Sequence, residues 1–447
     1  MNFIFFSRFS QMFKTKDFLT LFDSGDKMAI YGKMMKNMVE KTVLDSGLVV
    51  LTEYIPAFPS FALSYTLRSG SRVETRENCG IHHLIEHMLF KGNQKYDLKQ
   101  IADISDRLGG KLNALTGKEI TQFYIKAVDE HLKESFDLLT RMVIHSTFPA
   151  EEFLKEKGVT IQEIHEAEDD PDTNAFETFY ETIFPDNGLG FPIGGLVASV
   201  SSFERDMVYD FYKRNYTPDN LVLAAVGEVR HRELVDLAVN AFKDFPCQKP
   251  RELSFQTPTF NYQTFSKQNN SLKQVYVIIG VNGIPVVSPH KNRFMILNDI
   301  LGAGMSSRLF QKIREEKGLA YTVSSFSDAY LDCGTHLTYS VVEPGNVDEY
   351  LKAVKEEIDR LKTGGITKDE LMRARDSIKS SIILALESRV SKMRFNVNNE
   401  LFHQREITPQ EIIDDINHTT IDEINQLFKD YFNLEKMAVF LYGDIPA

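Results

Sequence analysis

Two stretches of this chain repeat each other. Phe211–Val229 aligns without a gap on Leu427–Ile445, an offset of 216 (427 − 211). In both copies a helical pattern ends in aromatics, a short break follows, and an apolar strand runs into Gly-acid-aliphatic: Gly227-Glu228-Val229 and Gly443-Asp444-Ile445. A second correspondence lies near the start of each half, where the apolar strand Phe61–Leu67 matches Gln274–Gly280. Such self-similarity means two copies of one structural unit. Length agrees, because 447 residues exceed what a single core serves. The polar, Pro-bearing stretch Pro246–Arg251 reads as the connection. The expected fold is α+β, with two homologous domains, each a mostly antiparallel sheet packed with helices. Residues 1–38 are expected to form an N-terminal extension outside the fold, 39–243 the first domain, 244–260 the linker and 261–447 the second domain.

The first half carries the chemistry-bearing motif. From Gly80 to Gly92 the apolar residues Ile81, Leu84, Ile85, Met88 and Leu89 follow a helical stripe, with Gly92 as a plausible stop. His83, Glu86 and His87 fall on the opposite side. Residues i and i+4 of a helix lie one above the other, so His83 and His87 can present imidazole nitrogens to one ion. Glu86 sits beside that ion's place, where a carboxylate can take a proton from water. The order H-x-x-E-H is the inverzincin form of the better-known H-E-x-x-H. His82 pairs at i+4 with Glu86, points between the two faces, and reads as a neighbour rather than a ligand.

Two histidines do not complete a catalytic zinc site, which takes three protein ligands and leaves one position open. The segment after Pro149, a good first helical residue, has Phe153, Leu154, Ile161, Ile164 and Ala167 at helical spacing. Glu156 and Glu163 lie seven residues apart, two turns, and share one face. Spacing alone leaves two readings open: a solvated acidic face, or a metal ligand with a companion.

The run Gly70-Ser71-Arg72-Val73-Glu74 followed by Gly80 through Gly92 resembles the zinc-site region of the M16 peptidase family, which includes insulin-degrading enzyme and the mitochondrial processing peptidase. That family places its third zinc ligand, a Glu, about eighty residues beyond the first histidine, and a supporting Glu seven residues before that ligand. Here 163 − 83 = 80 and 163 − 156 = 7. The resemblance therefore implies one Zn2+ per subunit on His83, His87 and Glu163, with Glu156 tuning the site and Glu86 acting as general base. Gly109–Thr116 is similar to the family's glycine pair and substrate strand, which implies that Asn113, Ala114 and Thr116 lie on an exposed edge where an extended peptide can add by backbone hydrogen bonds.

The second half has no histidine in Phe294–Leu301, where the matching helix is expected. The next stretch, Gly302–Tyr321, resembles the family's C-terminal motif, in which an Arg and a Tyr seven residues apart contact substrate; the matching positions are Arg314 and Tyr321. A guanidinium can hold a peptide carbonyl, and a phenol can donate to an oxyanion. In that family, known for its LuxS/processing-peptidase type of metallohydrolase fold, four such units close a chamber. This chain supplies two, which implies a homodimer with Arg314 and Tyr321 acting in trans, or a heterodimer with a paralogue. The implied activity is that of a zinc metalloendopeptidase acting on short or unfolded peptides. A processing peptidase for a few precursors, or a catalytically inert structural paralogue, are the neighbouring alternatives.

Composition narrows the remaining classes. A net charge of −12 argues against nucleic acid as a partner. No apolar run reaches membrane-spanning length. Three separated cysteines, Cys79, Cys247 and Cys333, imply no disulfide framework and suggest a reducing compartment, cytoplasmic by expectation. Met1–Lys16 has Arg8, Lys14 and Lys16, several Phe and no acid. That pattern suits an upstream extension or an organellar presequence, which would put the chain in a matrix compartment.

Overall fold

The computed structural model describes residues 39–445 apart from positions 253 and 434, so the expected extension over 1–38 lies outside the described residues. The first half builds strands β1 (Glu40–Val43), β2 (Val49–Tyr54), β3 (Ser60–Leu67), β4 (Lys111–Thr116), β5 (Thr121–Val128) and β6 (Leu221–Gly227), ordered β1-β2-β6-β3-β5-β4. The second builds β7 (Thr264–Gln268), β8 (Val275–Asn282), β9 (Ala320–Ala329), β10 (Gly334–Val342) and β11 (Ala438–Gly443), ordered β7-β11-β8-β10-β9. Only β2–β6 and β7–β11 pair in parallel among the described strands. The run β2-β6-β3-β5-β4 thus repeats as β7-β11-β8-β10-β9, and the α+β architecture of two like halves is what the chain adopts.

The repeat's glycines mark the same joint in both sheets. Gly227 and Gly443 end the matching strands β6 and β11 with φ of +131° and +139°. A Cβ at Gly227 would strike the Ser60 carbonyl oxygen, and one at Gly443 the Gln274 carbonyl oxygen. Backbone beyond the left-handed limit against a neighbouring strand leaves room for glycine alone.

Both sheets are covered on both faces over their middle strands, which is why β6 and β11 read as unbroken apolar runs. Along β6, Leu221, Leu223 and Ala225 join the core under the first half's own helices, while Val222, Ala224 and Val226 face the other way. Four helices organise the first half around the site: α1 (Ile81–Met88), α2 (Leu132–Ile144), α3 (Ala150–Asp169) and α4 (Pro171–Ile183). Asp170 and Pro171 end α3 and start α4: the ring of Pro171 cannot continue the first helix, and the Asp170 side chain accepts from Thr173 N at 3.0 Å.

The far faces are covered by exchange. Helix α4 leaves the first half and buries Phe176, Phe179 and Ile183 against Ile278, Leu337 and Phe440 of the second sheet. Reciprocally, α5 (Arg389–Asn398) of the second half buries Met393 and Val397 against β2, β3 and β6. Polar anchors fix each crossing. Tyr180 Oη donates to Asp328 Oδ2 at 2.5 Å. Lys392 pairs with buried Glu53, whose Oε2 also accepts from Asn396 Nδ2 at 2.9 Å.

Two local readings, both of helix ends, are corrected. Helix α1 ends at Met88, one turn before Gly92, and Pro149 is the residue capping α3 rather than its first helical one. The linker is pinned: Arg251 donates from its backbone N to Asp219 O at 2.8 Å and from Nε to Asp219 Oδ2 at 2.5 Å. All three cysteines are free, and burial pushes the Cys79 and Cys333 thiols up to about 12. Among the described residues no helix is long and apolar enough to cross a membrane.

Candidate metal centre

Helix α1 starts without a capping side chain of its own, because Gly80 stands at its N-cap with φ +92°. The cap comes from outside. Glu74 accepts from Gly80 N at 2.8 Å and from His82 N at 3.0 Å, which places a carboxylate on orphan amides at the positive end of the helix dipole. The same carboxylate takes His82 Nδ1 at 2.8 Å, and His82 Nε2 lies 2.9 Å from Ser69 Oγ. His82 is fully buried, so it points into the core rather than between the faces. With both nitrogens engaged it has none left for a metal.

The buried stripe of α1 leaves His83 and His87 facing α3. Glu163 Oε2 lies 3.7 Å from His83 Nε2 and 3.5 Å from His87 Nε2, and one donor atom from each of the three residues falls within 4.8 Å of the others. Ligands held about 2.0–2.1 Å from a tetrahedral zinc stand about 3.3 Å apart, so these separations fit such an ion between them. Protonation agrees. His87 Nδ1 sits 3.1 Å from Glu156 Oε2, and a carboxylate can only accept, so the ring hydrogen lies on Nδ1. In the neutral ring Nε2 then turns a lone pair toward the Glu163 oxygen, an opposition that a cation relieves. Burial first, and the neighbouring His87 second, hold His83 down at about 4, so it too offers a lone pair at neutral pH. The donor set therefore suits Zn2+.

Glu86 stands beside these donors, half-buried, and its loss of water contact raises its pKa. Opposing that rise, Thr116 Oγ1 donates to Glu86 Oε2. The Thr116 backbone also bonds to this carboxylate and acts in the same direction. Thr116 ends β4, the outermost strand of the first sheet. Further along the same strand, Asn113 Oδ1 accepts from Ala114 N at 2.9 Å, and Asn113 Nδ2 reaches Tyr124 Oη at 3.5 Å.

Arg314 and Tyr321 meet each other in the second half. The guanidinium carbon lies 4.3 Å from the centre of the Tyr321 ring and 4.8 Å from that of Phe310. Tyr321 is 80% exposed on β9, the edge strand equivalent to β4. No hydrogen bond or ion pair among the described residues joins this pair to the histidines. Sequence reasoning misses two contacts: Thr116 as the partner of Glu86, and Lys91, whose Nζ lies 2.8 Å from Glu156 Oε1. The signal for Lys91 is its i+4 spacing from His87.

Known proteins with this organisation share the sequence as well. Residues 49–195 match the domain described as insulinase (peptidase family M16), and residues 202–378 match the peptidase M16 inactive domain. An uncharacterized zinc protease of Bacillus subtilis is 33% identical over 413 residues, spanning 92% of this chain and 100% of that protein. Another, from Rickettsia felis, is 34% identical over 413 residues, spanning 92% and 99%. A protease from Helicobacter pylori superposes with a TM-score of 0.84 at 20% identity, covering 91% of this chain and 99% of that one. A peptidase M16 inactive domain structure from Pseudomonas fluorescens gives 0.84 at 19% identity, covering 92% and 98%. This chain is a member of peptidase family M16.

Proposed function

We propose that the protein is a zinc-dependent endopeptidase, with His83, His87 and Glu163 as metal ligands and Glu86 as general base. The observation that carries this reading is the convergence of two imidazoles and a carboxylate at tetrahedral spacing with a second, half-buried carboxylate alongside. When bound, zinc supplies Lewis acidity, polarising a scissile carbonyl and bringing the pKa of water toward neutrality. The chain's residues do the rest. Thr116 holds Glu86 in place, and the Glu86 carboxylate takes the proton from water and later delivers it to the leaving amine. Asn113 and Ala114 lie on an edge strand where an extended peptide adds by backbone pairing. Arg314 holds the substrate backbone and Tyr321 donates to the developing oxyanion. They act on the site of a second copy of this chain, so that a homodimer carries two composite sites.

The test combines metal analysis of the purified chain with cleavage of a quenched peptide, with and without chelator. Stoichiometric zinc and chelator-sensitive cleavage support the reading. A chain that cleaves equally well when stripped of metal contradicts it.

A further inference from the structure

We propose that Lys91 is a positioning residue of the metal site, acting on His87 through Glu156. The inference rests on the zinc reading above and adds to it a residue outside the H-x-x-E-H motif. His83, His87 and Lys91 form an i, i+4, i+8 row on α1 and the turn after it; Glu156 and Glu163 face them from α3. Acid and base alternate along the seam: Glu163 lies between the two histidines, and Glu156 between His87 and Lys91. Both oxygens of Glu156 are used, Oε2 on His87 Nδ1 at 3.1 Å and Oε1 on Lys91 Nζ at 2.8 Å.

Burial makes the lysine necessary. The Glu156 side chain is 8% exposed, and a carboxylate out of water needs a compensating cation. The neutral His87 ring does not supply that charge, and Lys91 is the only lysine or arginine within ion-pairing distance of Glu156 among the described residues. Without it, Glu156 gains by turning toward water and lets go of His87 Nδ1. The His87 ring is then free to rotate its Nε2 away from Glu163. No second support exists on the other histidine, since His83 Nδ1 is buried with no partner among the described residues. Outer hydrogen bonds of this kind orient metal-bound imidazoles, and their loss weakens metal binding about 10–100-fold. The position of Lys91 is itself fixed, because its backbone N donates to Met88 O at 3.1 Å in the turn closing α1.

The experiment measures Zn2+ affinity of the full chain, stripped and then titrated against a chromophoric chelator. Lys91→Met is expected to weaken zinc binding about 10–100-fold, while Lys91→Arg stays within a few-fold of wild type. Glu156→Gln should cause a comparable loss, and adding Lys91→Met to it should cost little more, since both cut the same relay. Thermal unfolding of the metal-free proteins checks that folding is intact; should Lys91→Met unfold, Lys91→Gln carries the same measurement. Wild-type affinity in the neutral-lysine variant, or losses that add in the double variant, overturn the inference while leaving the metal site standing. A wild-type chain that takes up no zinc overturns both.

Discussion

His83 and His336 are both held well below the ordinary histidine pKa by burial, at about 4 and about 3, yet only one faces other potential ligands. His336 sits in the second half, its Nδ1 2.8 Å from Ser327 Oγ and its ring edge-on to Phe294 and Phe432. Its folded pKa lies below the unfolded value of about 6.5, so its neutral form supports the fold fully above pH 6.5. As pH falls from there toward about 3, the unfolded chain gains a proton that the folded one refuses, and stability drops by about 1.4 kcal/mol per unit. Urea unfolding at pH 6.5 and 5.5 should show about 1 kcal/mol of that loss in wild type, the unfolded histidine being half protonated at the upper pH, and not in His336→Gln; parallel curves would refute it. At the site, Glu86→Gln should lower kcat by about 10²–10⁴-fold with zinc content unchanged. Thr116→Val removes one hydrogen bond to a charged group and should lower kcat by about 10–100-fold, with KM little moved and Thr116→Ser near wild type; steady-state kinetics on one peptide decides. The histidine pair is legible in the sequence because one helical turn fixes its geometry. Glu163 and Glu156 are not separable by spacing: two turns put both on one face, and only the offset between α1 and α3 sets Glu163 between the two rings and Glu156 behind one of them.

At the level of elements, the repeat is readable because strand, glycine and acid recur in order, and Gly227 and Gly443 prove to be the same joint, one that only glycine fits. The exchange of α4 and α5 is not. An apolar stripe such as Phe176, Phe179 and Ile183 states that a face is buried without stating against which sheet. The end of α1 escapes the pattern for a related reason: Leu89 continues the apolar stripe from the C-cap, where its backbone is still αR and its N–H still donates to Ile85 O at 3.0 Å. Edge strand β4 carries a prediction of its own. Proline is tolerated on an edge but offers no N–H, so Ala114→Pro should keep zinc and raise the KM for peptides about tenfold, the worth of one backbone hydrogen bond. Unchanged KM in that variant would mean that substrates do not pair along β4.

For the whole molecule, the division of labour between halves predicts complementation. Glu86→Gln mixed and refolded with an Arg314→Ala/Tyr321→Phe chain should recover up to about a quarter of wild-type activity, as expected when one site in a statistical mixture of dimers regains both elements. A mixture as inactive as its components would place Arg314 and Tyr321 away from the partner's site. The halves also depend on one another within the chain. Each sheet has one apolar face that only the other half covers, and truncating a single fully buried anchor such as Phe179 to Ala should cost about 3–5 kcal/mol. That mutual cover predicts that a cut in the linker between the halves is tolerated once folding is complete. A protease nick there should leave two fragments that co-elute until denaturant is added, and the same interlock means that two separately translated pieces could serve in place of one polypeptide, provided they are made together.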